Sequence, residues 1–470
     1  MLFNSLEFLI FFPVVLIIYH QLSFRFRGIF LLLASYYFYM SWNPTYIILI
    51  LASTIVDYYS ALQIGNSDQK HIKKFYLILS IIVNLGLLFT FKYFDFFSTS
   101  VQTATNSLGF DWEMPMLNVL LPVGISFYTF QTMSYTIDIY RGRFKPEKNF
   151  IYFALYVSYF PQLVAGPIER GRKLLPQLKR ENQISIEDVY FGLNKIAYGF
   201  FKKVVVADNV AVYVDSVYAD PSAYSGVTLF IATFFFFIQL YCDFSGYSDI
   251  AIGCARLMGV KLSENFNRPF LATSITDFWQ RWHISLSNWL RDYVYASLRG
   301  HKKRGRWATY SNLLITFTLC GLWHGAAWTF VLFGVAHGAM LALESFLNEI
   351  KFGKSFFSSY PRTKHTFNVL KTLIIVTLTG TFFRAESITD CFLIWTKLAS
   401  FSTGFSLVDF YGGLKMGELA LCFLVFFMLV LSYLLPKDLK FKSITFLVVT
   451  SVIIMMFGSN SEMQFVYFQF

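Results

Sequence analysis

The sequence predicts an all-α polytopic membrane protein, and three observations carry that prediction. Of its 470 residues, 56% are hydrophobic and only 14% are charged, against about 25% charged in soluble globular chains. Apolar runs close to the ~20 residues that cross a bilayer recur along the whole chain. Lys and Arg cluster between those runs, and the formal net charge is +11. That excess reads as the positive bias of cytoplasmic loops rather than as a nucleic-acid surface, because no basic stripe is interleaved with stacking aromatics outside the membrane. No period-length repeat or low-complexity linker appears, so residues 1–470 are read as a single membrane domain.

Taken in order, the expected spans are 6–20, 28–42, 45–63, 76–94, 118–140, 196–218, 227–255, 311–333, 334–349, 367–383, 419–435 and 443–458. The first, "LEFLIFFPVVLIIYH", has no basic stretch before it and no small-residue cleavage site, so it reads as a membrane helix and not a signal peptide. An N-terminus outside puts Arg25, Arg27, Lys70, Lys73, Lys74, Arg141, Arg143, Lys145 and Lys148 inside. It leaves 96–117, which has no Lys or Arg, outside. The segment 150–168, "FIYFALYVSYFPQLVAGPI", breaks the alternation, because basic residues flank it on both sides (Lys145 and Lys148; Arg170, Arg172, Lys173, Lys179 and Arg180). A re-entrant hairpin keeps both flanks inside. Pro161, Gly166 and Pro167 fit a broken backbone, which survives at membrane depth only against protein or a wet cavity.

The longest non-spanning region, 256–306, carries Arg256, Lys261, Arg268, Arg281, Arg291, Arg299, Lys302, Lys303, Arg304 and Arg306 against Glu264, Asp277 and Asp292. The charge rule makes it cytoplasmic. The five cysteines (Cys242, Cys254, Cys320, Cys391 and Cys422) are scattered, with no metal-ligand spacing and no disulfide framework expected.

Polar groups inside a membrane are functional suspects. In "GLWHGAAW", the residues Gly321, His324, Gly325 and Trp328 would share one helical face at i, i+3, i+4 and i+7. The glycines would leave room beside the imidazole and Trp328 would wall one side. The bland alternative is a GxxxG packing face with a hydrogen-bonded histidine. "GVAHG" repeats the spacing around His337, where a packing role and a wet histidine just past a turn are expected. In "DFWQRWHISLSNWLRDYVY", Trp279, Trp282, Leu286, Trp289 and Tyr293 form an aromatic stripe on an amphipathic helix, at headgroup level or against the membrane helices. Asp277 and Arg281 are placed to pair. An interfacial helix explains most of this stretch, but it explains His283 less well. "QLYCDFSGYSDIAIG" puts Gln239 and Asp243, and Ser245 and Asp249, at i, i+4 inside a span. Its two carboxylates need partners, expected from arginines of the following loop, and structural, catalytic and proton-path roles all stay open. No GxSxG elbow, Walker A motif or paired-histidine metal motif appears. A metal-free histidine in a partly dry chamber suits general acid–base work near neutral pH.

With "DFWQRWHISLSNWLRDYVY" followed about forty residues later by "GLWHGAAWTFVLFGVAHG", the sequence resembles the membrane-bound O-acyltransferase (MBOAT) family. "YCDFSGYSDIAIG", "YFPQLVAGPIERGRKLLPQL" and "ENFNRPF" resemble its alginate-O-acetylation branch. The likeness runs from "FNSLEFLIFFPVV" to about Phe383, with an MBOAT-like core at about 118–383. The resemblance implies a ring of about 11–12 membrane helices with re-entrant segments around a central tunnel. It also implies acyl transfer from a cytoplasmic thioester to an acceptor reached from the other face. His324 matches the family's invariant histidine, and His283 its second, more variable Asn/His position. Asp243, Asp249, Arg281, Trp282, Ser287 and Trp328 are expected along the substrate path.

The chemistry implied is removal of a hydroxyl proton by His324, worth roughly 10²–10⁴-fold. His283, a nearby amide or Arg281 would stabilise the oxyanion. No metal or resident cofactor is expected; the donor would be acetyl-coenzyme A or an acyl-carrier protein, drawn to the basic region. Outside loops are short (96–117 and about 384–418), so a separate periplasmic enzyme would finish transfer to a polysaccharide; the resemblance implies that this partner is an SGNH-like acetyltransferase. The setting implied is the lipid bilayer of the bacterial plasma (inner) membrane, with no nucleic acid bound. Three rivals are D-alanyl transfer to teichoic acid, a proton-coupled polysaccharide or lipid exporter using Asp243, Asp249 and His324, and an envelope scaffold.

Overall fold

The computed structural model describes residues 1–300, 305–350, 361–400, 407–459 and 465–466, and among these there is no strand. Among the described residues six helices are long and apolar enough to cross a bilayer: Pro44–Asn66, Lys70–Ser107, Gly226–Leu257, Trp328–Glu349, Arg362–Arg384 and Met416–Leu434. Two shorter apolar helices, Leu6–Gln21 and Ile444–Phe457, lie where the first and last spans are expected. The protein is thus an all-α, multi-pass membrane protein. Lys302, Lys303 and Arg304 of the basic region, and residues 401–406 of the loop expected outside, fall outside the described residues. The chain forms two compact units, one of Met1–Ile196 with Ile250–Ser263, the other of Ala197–Asp249 with Glu264–Phe470.

In the first unit the helices Pro44–Asn66, Lys70–Ser107 and Ile125–Tyr140 meet around one buried carboxylate, that of Asp57. Ser80 Oγ and Asn84 Nδ2 donate to its Oδ1, at 2.5 and 3.0 Å. Asn84 Nδ2 also reaches Oδ2, at 2.8 Å, and Thr132 Oγ1 donates to Asn84 Oδ1 at 3.0 Å. Polar bonds of this kind join helices where lipid supplies no hydrophobic drive.

The loop expected at 96–117 is helical over its first half. The helix that begins at Lys70 continues through a π turn at Phe89–Tyr93 to Ser107. From Phe94 to Leu108 it has no Gly or Pro to interrupt it, and Thr103 Oγ1 donates to the carbonyl four residues back.

The segment at 150–168 is broken as its Pro and Gly content requires. Its first helix, Phe150–Ser158, has nine residues, or about 14 Å, less than half a bilayer core. Every residue from 153 to 169 is buried. Side chains replace the missing helical bonds: Phe160 N donates to Ser35 Oγ at 3.1 Å, and Gln131 Nε2 donates to the Tyr156 carbonyl at 2.6 Å.

The second unit is built around a buried charge cluster. The π segment Phe201–Ala207 turns two consecutive lysines inward, both at most 2% exposed. Lys202 Nζ meets Asp249 Oδ2 at 2.6 Å and Ser245 Oγ at 2.9 Å. Lys203 Nζ meets Asp208 Oδ1 and Asp243 Oδ1, each at 2.8 Å. Asp249 and Asp243 are therefore met by lysines from the preceding segment, where arginines from 256–306 were expected. The arginines have other work: Arg281 Nε lies 2.6 Å from Asp277, the expected i, i+4 pair, and Arg291 pairs with Asp292.

Candidate functional site

His324 is the last residue of the helix Arg306–His324. The expected single helix through 311–333 stops there because Gly325 and Ala327 are extended, at φ −156° and −147°. A new helix starts at Trp328 and runs to Glu349. Gly325 and Trp328 consequently do not share a helical face with His324, and Trp328 is 53% exposed. The glycines serve close approach. A side chain at Gly321 would run into the Phe330 carbonyl and the backbone of Gly334, and one at Gly334 into the Phe317 carbonyl. The GxxxG packing reading is right for Gly321, and the space beside His324 is not made by it.

The wall is aromatic. Trp323 lies 5.0 Å from the His324 ring, Phe383 at 4.9 Å and Phe333 at 6.0 Å, centroid to centroid. His324 is 3% exposed.

His283 sits at a break. The amphipathic helix expected over 277–295 is split into Ile275–Arg281, Ile284–Trp289 and a π turn Leu290–Tyr295. Between the first two, His283 adopts the left-handed backbone conformation at φ +43°, ψ +53°, which few non-glycine residues adopt. The break changes where the stripe points. Trp279, Trp282, Leu286, Trp289 and Tyr293 are all buried, which places the stripe against protein rather than at headgroup level. Trp282 stacks on Phe237 and Phe278, at 5.5 and 5.4 Å.

The two breaks bring the two histidines together. Their ring centroids are 6.2 Å apart, and Trp323 touches both, at 5.6 Å from His283. The Phe244 ring meets His283 edge-on at 4.6 Å. Burial pushes the His283 imidazole down to about 3, so its ring is neutral at any physiological pH. Two imidazoles with aromatic walls on both sides form a low-dielectric site, where proton transfer and hydrogen bonding to a developing charge count for most.

The other expected residues distribute around this pair. Ser287 donates to the Trp282 carbonyl at 3.3 Å. It also lines a cavity of about 750 Å³ together with Thr276, Gln280, Arg291 and Phe317. Arg281 turns its guanidinium to Asp277 and the Asn267 carbonyl. Asp243 and Asp249 belong to the lysine cluster. His337 is neither wet nor near a turn. It lies inside Trp328–Glu349, 1% exposed, with Trp279 Nε1 at 3.2 Å and Thr379 Oγ1 at 3.1 Å from its two ring nitrogens. Sequence reasoning missed Trp323, Phe383, Phe244, Lys202 and Lys203. The lysine pair had a legible signal, two adjacent cations inside an apolar span. The aromatics had none, since 20% of the chain is aromatic.

A model of the membrane-bound O-acyltransferase family matches residues 34–385. Over 431 residues the chain is 38% identical to the protein named "Probable alginate O-acetylase AlgI" in Pseudomonas aeruginosa, covering 90% of this chain and 80% of the relative. Over 344 residues it is 36% identical to a peptidoglycan O-acetyltransferase of Helicobacter pylori, covering 68% of this chain and 64% of the relative. A teichoic acid D-alanyltransferase of Bacillus subtilis is 29% identical over 245 residues, covering 50% and 62%.

Proposed function

The chain belongs to the membrane-bound O-acyltransferase family and is a multi-pass O-acyltransferase; on that premise we propose that it carries an acetyl group across a bacterial plasma membrane for O-acetylation of an envelope or exported polysaccharide. The donor is a thioester on the cytoplasmic side, acetyl-coenzyme A or an acyl-carrier protein. The N-terminus lies outside, as the distribution of Lys and Arg supports. Likeness to two O-acetyltransferases over most of the chain, against half of it for the D-alanyltransferase, supports acetyl as the group moved.

The observation that carries the reading is the meeting of His324 and His283 in one buried aromatic enclosure. His324 takes the proton of an acceptor hydroxyl as its oxygen attacks the thioester carbonyl carbon. The carbon–sulfur bond then breaks, and the protonated His324 returns its proton to the departing thiolate. Neutral His283 donates one hydrogen bond to the carbonyl oxygen while that oxygen carries negative charge. The cavity beside Ser287, polar at Thr276 and Gln280 and apolar at Phe317, suits the extended arm of a thioester donor. The immediate acceptor is a hydroxyl on a separate SGNH-like partner outside, which passes the acetyl group to the polymer.

The test is His324→Ala, purified and compared with wild type for coenzyme A release from acetyl-coenzyme A in the presence of the partner. Loss of a general base costs roughly 10²–10⁴-fold, and insertion and protein level should stay normal. Turnover near wild type would overturn the assignment.

A further inference from the structure

We infer that Asn265 is a positioning residue that fixes the conformation of His283; the inference rests on the reading that His283 acts in the reaction. The sequence gives Asn265 no evident task. It stands in "ENFNRPF", eighteen positions before His283, and it is 0% exposed. Each of its main polar atoms that holds the segment after His283 has a named partner. The Asn265 carbonyl accepts from Ile284 N at 2.9 Å. Its Oδ1 accepts from Ser285 N at 3.2 Å and from Ser285 Oγ at 2.9 Å. Its Nδ2 donates to Ser248 Oγ at 3.3 Å, tying it to the helix that also carries Phe244.

This arrangement answers a problem the backbone poses. The first amides of a helix have no intrahelical carbonyl to meet, and the residue at the N-cap ordinarily satisfies one with its own side chain. The helix Ile284–Trp289 has His283 at its N-cap, and that side chain makes no capping bond. Asn265 supplies the cap from a distant part of the chain, so the imidazole is not committed to it. The same contacts, with Asn267 N on the Arg281 carbonyl at 2.9 Å, clamp the chain on both sides of His283. A left-handed non-glycine residue persists only where its surroundings over-determine it. Without Asn265, residue 283 would relax toward ordinary helical geometry and carry its ring away from Trp323 and His324.

A double-mutant cycle tests this, reading kcat and the donor KM on the purified full chain with acetyl-coenzyme A and the partner. Asn265→Ala should lower kcat by ~10- to 10²-fold, the scale of an ångström-sized misplacement, with donor KM little changed. In a His283→Ala background the same substitution should cost less than about threefold, because the group it positions is gone. Asn265→Asp keeps an oxygen for Ser285 and should recover most of the activity. It also serves, with Ser285→Ala, if the alanine variant does not fold. An equal loss in both backgrounds would make Asn265 merely structural and overturn the inference, as would full activity of Asn265→Ala where His283→Ala is impaired. Full activity of His283→Ala would instead remove the role of His283 itself, and the inference with it.

Discussion

Two buried histidines thirteen residues apart, His324 and His337, look alike in sequence, each beside a glycine in an apolar run. The hydrogen bonds of His337 define its part. Trp279 Nε1 can only donate, so His337 Nδ1 accepts and Nε2 carries the proton. Nε2–H then donates to Thr379 Oγ1, whose own hydroxyl passes to the carbonyl of Ile375 or Val376. An imidazole held on both nitrogens in one tautomer is a strut and not a base. His337→Ala leaves a buried indole N–H unmatched, at about 1–3 kcal/mol, and takes from the Thr379 hydroxyl the bond it accepts. The detergent-purified variant should melt several degrees lower, while its folded fraction turns over within a few-fold of wild type. Unchanged melting with lost turnover would put His337 in the reaction instead.

At the scale of elements, the membrane helices were legible because their apolar runs are long. The breaks were not, because each is set by a contact remote in sequence. The one at His283 depends on Asn265, and the one after His324 lies where the Gly321 and Gly334 backbones press together. A period of 3.6 read through 277–295 or 311–333 has no access to those partners, so it put Trp328 on one helical face with His324 and passed over Trp323. The π segment Phe201–Ala207 is a further case. Its lysines are held by carboxylates on the helix Gly226–Leu257 and on Asp208. Removing one partner of a buried ion pair costs about 3–5 kcal/mol, whereas neutralising all partners together is often harmless. Lys203→Met should therefore collapse the yield of folded protein, and Asp208→Asn with Asp243→Asn should restore it. If the triple variant is no better than Lys203→Met alone, the cluster does more than hold the fold. Expression and thermal melting of wild type, Lys203→Met and the triple variant decide the matter.

For the whole molecule, composition alone established a polytopic helical chain, and motifs spread from "FNSLEFLIFFPVV" to Phe383 carried the family, which the match over residues 34–385 bears out. The vectorial part of the account rests on charge. The chain carries a net +11, with most of its basic residues gathered between spans and none in 96–117. A thioester bearing phosphates should accordingly be used from the basic face, and a hydroxyl on the other face should receive the acetyl group. The measurement that tests this most directly uses the purified protein in sealed vesicles of known orientation, with acetyl-coenzyme A on one side and polymer, with or without the partner, on the other. The account predicts coenzyme A release only with the donor on the face bearing residues 256–306, and only when the partner is present opposite. Equal release with the donor on either face, or efficient acetylation of the polymer by this chain alone, would contradict it.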